Sequence, residues 1–173
     1  MAGSEPSPGL RCQPIEPPAD AARELFRYAG AWAPPASAGE AAWGAWRGEQ
    51  LVGALLLERA QGSGRPSGML HGPVVIGDGE PEAAAPASPP ALETAAALVS
   101  LAIDFAGTER IETLFARPQA LDRLWVRFGF IPVPEVELPA AFAGRPGVGL
   151  HGWRGGTALW SSGRHATPAA LKR

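Results

Sequence analysis

Cysteine, lysine and tyrosine occur once each in this chain of 173 residues, as Cys12, Lys172 and Tyr28. A single cysteine excludes an internal disulfide framework and a cysteine-rich zinc site, and Cys12 reads as a small buried hydrophobe. The scarcity of lysine leaves arginine as nearly the whole basic complement, which reads as codon bias. Charge of either sign is not in excess: the formal net charge is −2. That gives no electrostatic case for nucleic acid or for an anionic membrane surface. No apolar run reaches the length of a membrane span. The opening "MAGSEPSPG" has neither a charged n-region nor an apolar h-region, so a cytoplasmic protein is expected. Also missing are a Gly-x-Ser-x-Gly elbow, a Walker loop and a His-Glu-x-x-His pair. His151 and His165 lack ligand spacing, and no metal site is expected.

Hydrophobic residues make up 46% of the chain, enough for one real core, while 22 glycines and 19 prolines punctuate it. Residues 1–9 read as a flexible tail, 10–155 as the domain, and 156–173 as an extension that is partly disordered. Within the domain, "LRCQPIEP" (10–17) predicts a strand. "ADAARELFRYAGAW" (19–32) predicts a helix, with Ala22, Leu25, Phe26 and Ala29 on one side. "AAWGAWRGEQLVGALLLE" predicts a hairpin turning at Gly48–Glu49. Its second strand, Leu51–Glu58, is apolar almost throughout and so is central, covered on both faces. Trp43 and Trp46 stand three apart and face opposite sides.

"GMLHGPVVIG" is a further strand, interrupted at Gly72-Pro73, where a bulge or an unpaired edge is expected because proline cannot donate to a ladder. From Pro89 to Ala106 the pattern is helical, with Ser88 placed to cap it. A narrow polar stripe of Glu93, Ala97, Ser100 and Asp104 leaves the rest of that helix to lie on a sheet. "RIETLFARP" is a strand. "ALDRLWVRFGF" is a short helix burying Leu121, Leu124, Trp125 and Phe128, closed by Gly129 in a left-handed cap. "IPVPEVELP" and "GLHGWRGG" predict a final hairpin. The sum is an α/β single domain, a mixed central sheet flanked by helices.

This order, with "GEQLVGALLL", "GPVV" and "LDRLWVRFGFIPVP", resembles the GNAT (acetyl-CoA-dependent) N-acetyltransferase family over residues 10–155. The most specific piece is Leu124–Pro132, similar to the family's helix-to-strand junction. The resemblance implies an acyl-CoA N-acyltransferase fold in which a bulged strand splays from its neighbour and binds the pantetheine arm of acetyl-CoA. On this chain those backbone groups fall at Val74, Val75 and Ile76. The family's pyrophosphate loop, Arg/Gln-x-x-Gly-x-Gly/Ala, has no counterpart in 77–95. The motif would fall on Pro90-x-x-Glu93-x-Ala95, where only Ala95 is acceptable, and in an acyltransferase amides near Ala87 and Ser88 and the helix start would meet the pyrophosphate. Asp78, Glu80, Glu82 and Glu93 add negative charge there, and Pro81, Pro86, Pro89 and Pro90 remove N–H donors. A carboxylate about 6 Å from a phosphate costs roughly 2–3 kcal/mol at an effective dielectric of about 20.

The family's tyrosine acid would fall on Trp125, which reads as core. The residues available as general base are Glu58, at the end of a hairpin strand, and His71, on the bulged strand. Each has a plain alternative: Glu58 as a solvated strand end, His71 as a hydrogen-bonded structural residue. Two functions therefore stay open. One is transfer of an acetyl or acyl group from acyl-CoA to an amine that the sequence does not identify. The other is a non-catalytic binding or scaffold protein on the same fold, a possible pseudoenzyme that has lost acetyl-CoA. Either reading admits a homodimer.

Overall fold

A computed structural model describes residues 9–37, 39–60, 64–76, 89–118, 122–147 and 149–154. Ala87, Ser88, most of the acidic segment, and the expected terminal tails lie outside the described residues. Among these residues, seven strands and three α-helices follow one another as β1 (Leu10–Pro14), α1 (Asp20–Tyr28), β2 (Ala41–Arg47), β3 (Gln50–Arg59), β4 (Ser67–Val75), α2 (Pro89–Thr108), β5 (Thr113–Ala116), α3 (Asp122–Arg127), β6 (Ile131–Pro132) and β7 (His151–Arg154). Two single turns of 3-10 helix, Glu135–Glu137 and Ala140–Phe142, lie between the last two strands. The strands form one sheet in the order β1-β2-β3-β4-β5-β7-β6. Its one parallel pair among the described residues is β4–β5.

The mixed sheet and the central placement of β3 follow the sequence. Val52 to Glu58 is a continuous buried run between β2 and β4. Two helices cover the sheet from opposite sides. A Cβ on Gly53 would lie 3.1 Å from Thr94 and 3.2 Å from Leu98 of α2, whereas one on Gly72 would meet Phe26 of α1 at 3.0 Å. On the α2 side Trp43 packs edge-on against Phe105, with ring centroids 5.3 Å apart. Ala95, Leu98, Ala102 and Ala106 of α2 recur at helical spacing and are fully excluded from solvent. By length and composition α2 could cross a membrane, which corrects the expectation that no segment reaches that length. Its buried stripe lies against the sheet instead. Cys12 is half-buried against the same core, and burial raises its thiol pKa.

Two helix ends shape the site. α1 stops at Tyr28, four residues before the sequence-based expectation, because Gly30 adopts φ +72. The Ala31 N–H bonds to Phe26 O at 2.8 Å and the Gly30 N–H to Arg27 O at 3.1 Å, the paired bonds of a Schellman cap. The chain thus leaves the helix before Trp32. α3 ends in the same way at Gly129, with Phe130 N–H on Trp125 O and Gly129 N–H on Val126 O, both at 3.0 Å.

Candidate functional site

The ladder between β4 and β5 runs from Ser67–Thr113 to Leu70–Ala116 and goes no further. β4 itself continues to Val75, still paired with β3 on its other side. At the break, Ala54 faces Val74 and Leu56 faces His71, so Gly72 and Pro73 together stand opposite Leu55, a bulge of one extra residue. Gly72 adopts φ +96, a conformation open to glycine. The bulge expected at Gly72-Pro73 is therefore present, and beyond it one edge of β4 faces no strand among the described residues. The Ile76 N–H bonds back to Val52 O at 2.8 Å. Peptide groups alternate along a strand, so those of Val75 turn to the open edge while those of Val74 and Ile76 turn to β3. Of the three residues expected to hold pantetheine, Val75 alone presents its peptide there.

Ala95 lies elsewhere. It sits in the second turn of α2, fully buried, past the first four helical residues whose N–H groups lack partners within a helix. It does not contribute a helix-start amide for a pyrophosphate. Pro89 and Pro90 open that helix and have no N–H to offer. Trp125 fills the core at 1% exposure, edge-on to Phe130 with ring centroids 4.9 Å apart.

On the α1 side of the sheet, immediately before the bulge, the structure brings Glu58 and His71 together. His71 Nε2 lies 2.6 Å from Glu58 Oε1, and both side chains are more than nine-tenths buried. A third residue, which sequence reasoning missed, joins them. Arg145 donates from Nε to Glu58 Oε1 and from Nη2 to Oε2, each at 2.8 Å. Trp32 completes the group, with its ring centroid 5.3 Å from that of His71 and 5.5 Å from the Arg145 guanidinium carbon. The stretch after α1 that carries Trp32 is fixed by Arg23, which donates to Pro34 O at 3.2 Å and pairs with buried Glu40 at 2.5 Å.

Burial pushes the Glu58 carboxyl pKa up, but hydrogen bonds and charge from His71 and Arg145 outweigh it and bring it down to about 2. Glu58 is thus an anion at any ordinary pH, with both oxygens engaged, and is a poor proton acceptor. Its carboxylate can only accept, so His71 Nε2 must carry the hydrogen between them. In the neutral ring Nδ1 then holds the lone pair. The arrangement suits a histidine base oriented by a carboxylate. Among the described residues no group of three or more His, Cys, Asp or Glu is placed to hold a metal.

At the level of sequence, no family profile and no curated protein matches the chain. Its structure does match known ones. An acetyltransferase of the GNAT family from Staphylococcus aureus Mu50 superposes with a TM-score of 0.56 at 14% identity, over 83% of this chain and 99% of that one. The chain has the GNAT fold. An N-acyl amino acid synthase from uncultured soil microbes matches at TM-score 0.61 and 18% identity, over 86% of this chain and 91% of the other. N-acetylglutamate synthase from Neisseria gonorrhoeae, solved with coenzyme A and L-arginine, matches at 0.58 and 17%, over 84% of this chain and 33% of its own. At these identities the likeness establishes the GNAT fold and leaves the chemistry to be argued from the site.

Proposed function

We propose that the protein is a GNAT-type N-acyltransferase that moves an acyl group, acetyl in the simplest case, from acyl-CoA to an amine. One observation carries the reading: a buried, oriented Glu58–His71 pair stands beside the open edge of β4. The fit to the acyl donor rests on that edge, where Val75 has peptide groups turned away from β3 to receive an extended arm. Acyl-CoA bound there would supply an activated acyl carbon and a thiolate leaving group that solvent protonates. His71 Nδ1 takes a proton from the acceptor amine, so that the nitrogen lone pair is free. Glu58 holds the His71 ring in one tautomer and one orientation, a positioning role. The N-acyl amino acid synthase among the structural neighbours fits the same reaction class.

A second reading is a GNAT-fold binding protein that no longer takes acyl-CoA. Pro89 and Pro90 favour it, because they remove N–H donors where a helix start would meet a phosphate. Thermal melting with acetyl-CoA, with desulfo-CoA and adenosine diphosphate as controls, separates the two. At about a hundredfold above the dissociation constant the enzyme reading expects a rise on the order of 5–10 °C. Acyl transfer to an amine panel should then fall by about 10²–10⁴ in His71→Ala. No shift at millimolar acetyl-CoA, together with no transfer, would sink the enzyme reading and leave the binding protein.

A further inference from the structure

The group around Glu58 has a fixed half and a half carried by a loop. Glu58 projects from the central strand β3 and is held by His71, and Trp32 is set in place by the early end of α1. Arg145 comes from 87 residues further along the chain, in the irregular stretch between the second 3-10 turn and β7. Gly144, Gly147 and Gly149 around it adopt φ +78, +130 and +77. Its side chain keeps 22% exposure and Trp32 keeps 41%, whereas Glu58 beneath them is 6% exposed. The guanidinium therefore lies between solvent and a buried carboxylate, against an aromatic face. A carboxylate together with an aromatic ring is how proteins recognise an organic cation.

We propose that Glu58 and Trp32 form a binding subsite for the cationic end of an acceptor, a primary ammonium or a guanidinium, and that Arg145 occupies it as an internal stand-in which the acceptor displaces. The word acceptor rests on the acyltransferase reading; cation binding itself needs no acyl donor. Arg145 Nε and His71 Nε2 share one oxygen, Glu58 Oε1, at 2.8 and 2.6 Å. An ammonium in place of the guanidinium is thus one oxygen away from the base ring. That position lies on the Nε2–H side of the ring, away from the Nδ1 lone pair, so the cation held there keeps its protons, no bond is made or broken in the subsite, and the nitrogen that is acylated is a second one facing Nδ1. Arginine is a suitable occupant because its planar fork fits a carboxylate, whereas a small cation would be held by charge and the ring face.

The test is chemical rescue. Arg145→Ala should melt below the wild type, and propylguanidinium or butylammonium should raise its melting temperature saturably, by about 3–6 °C at tenfold the dissociation constant. Neutral propylurea should not, and the rescue should vanish in Arg145→Ala combined with Glu58→Gln. Cations that fail to rescue, or that rescue equally without the Glu58 charge, overturn the proposal. Should Arg145→Ala not fold, the wild-type Arg145 Nε–H resonance is the readout. Propylguanidinium should move it towards the shift of an exposed arginine and speed its exchange with water; a signal unmoved at saturation would refute displacement. Rescue without any acyl transfer would sink the acyltransferase reading alone, and transfer without rescue would sink the subsite alone.

Discussion

Trp125 stands where the GNAT resemblance places an acid tyrosine, and the structure gives it a packing role. It is 1% exposed and meets Phe130 edge-on. Replacing it with alanine should cost about 3–5 kcal/mol, read as the urea midpoint shift at constant slope. A loss under 1 kcal/mol would mean that the ring is not a core group. Buried residues of this kind are legible from sequence because helical spacing reports them. Glu58 and His71 were legible one at a time, as polar residues interrupting apolar strands. Their partners were not. Trp32 was assigned to the end of a helix, and Arg145 lies in "FAGRPGVG", where no period links a side chain to a distant strand. The one signal there, an arginine set among glycines, is too common to point at Glu58.

Punctuating residues made the elements readable. Gly129 closes α3 as expected, and Gly48–Glu49 turns the β2–β3 hairpin. Gly30 is the stop signal that ends α1 before the helical pattern of the sequence runs out. The final pairing of β6 with β7 was expected, but the insertion of β7 between β5 and β6 was not. That placement depends on contacts between β5 and β7, which no local pattern encodes. Gly72 offers the sharpest test at this scale. It adopts φ +96, and an added Cβ would lie 2.9 Å from Val74 N and 3.1 Å from Ala54 O, both backbone atoms with little room to yield. Gly72→Ala should therefore cost about 1–3 kcal/mol. Because the strain falls on the bulge that frees the edge of β4, the same variant should weaken any melting shift with acetyl-CoA. An unchanged denaturation midpoint would show that the bulge tolerates a side chain.

For the whole molecule, acid stability should carry the signature of one buried carboxylate. Glu58 has its pKa lowered to about 2 in the folded protein against an ordinary value of 4.5, so the unfolded chain binds its proton first as pH falls. Stability from this group is then fully present above about pH 4.5 and is lost progressively as pH drops towards 2. The size is on the order of 3 kcal/mol, since each unit of difference is worth about 1.4 kcal/mol. The exposed pair Arg117–Glu135 adds little to this limb. Glu58→Gln removes the titrating group and strands Arg145 and His71 without their anion. It should be less stable than the wild type at neutral pH, and the gap should close as pH falls from 4.5 to 2. Urea denaturation of both proteins across that range reads the gap directly. Parallel curves would mean that Glu58 titrates normally in the folded state, and the network drawn around it would have to be given up.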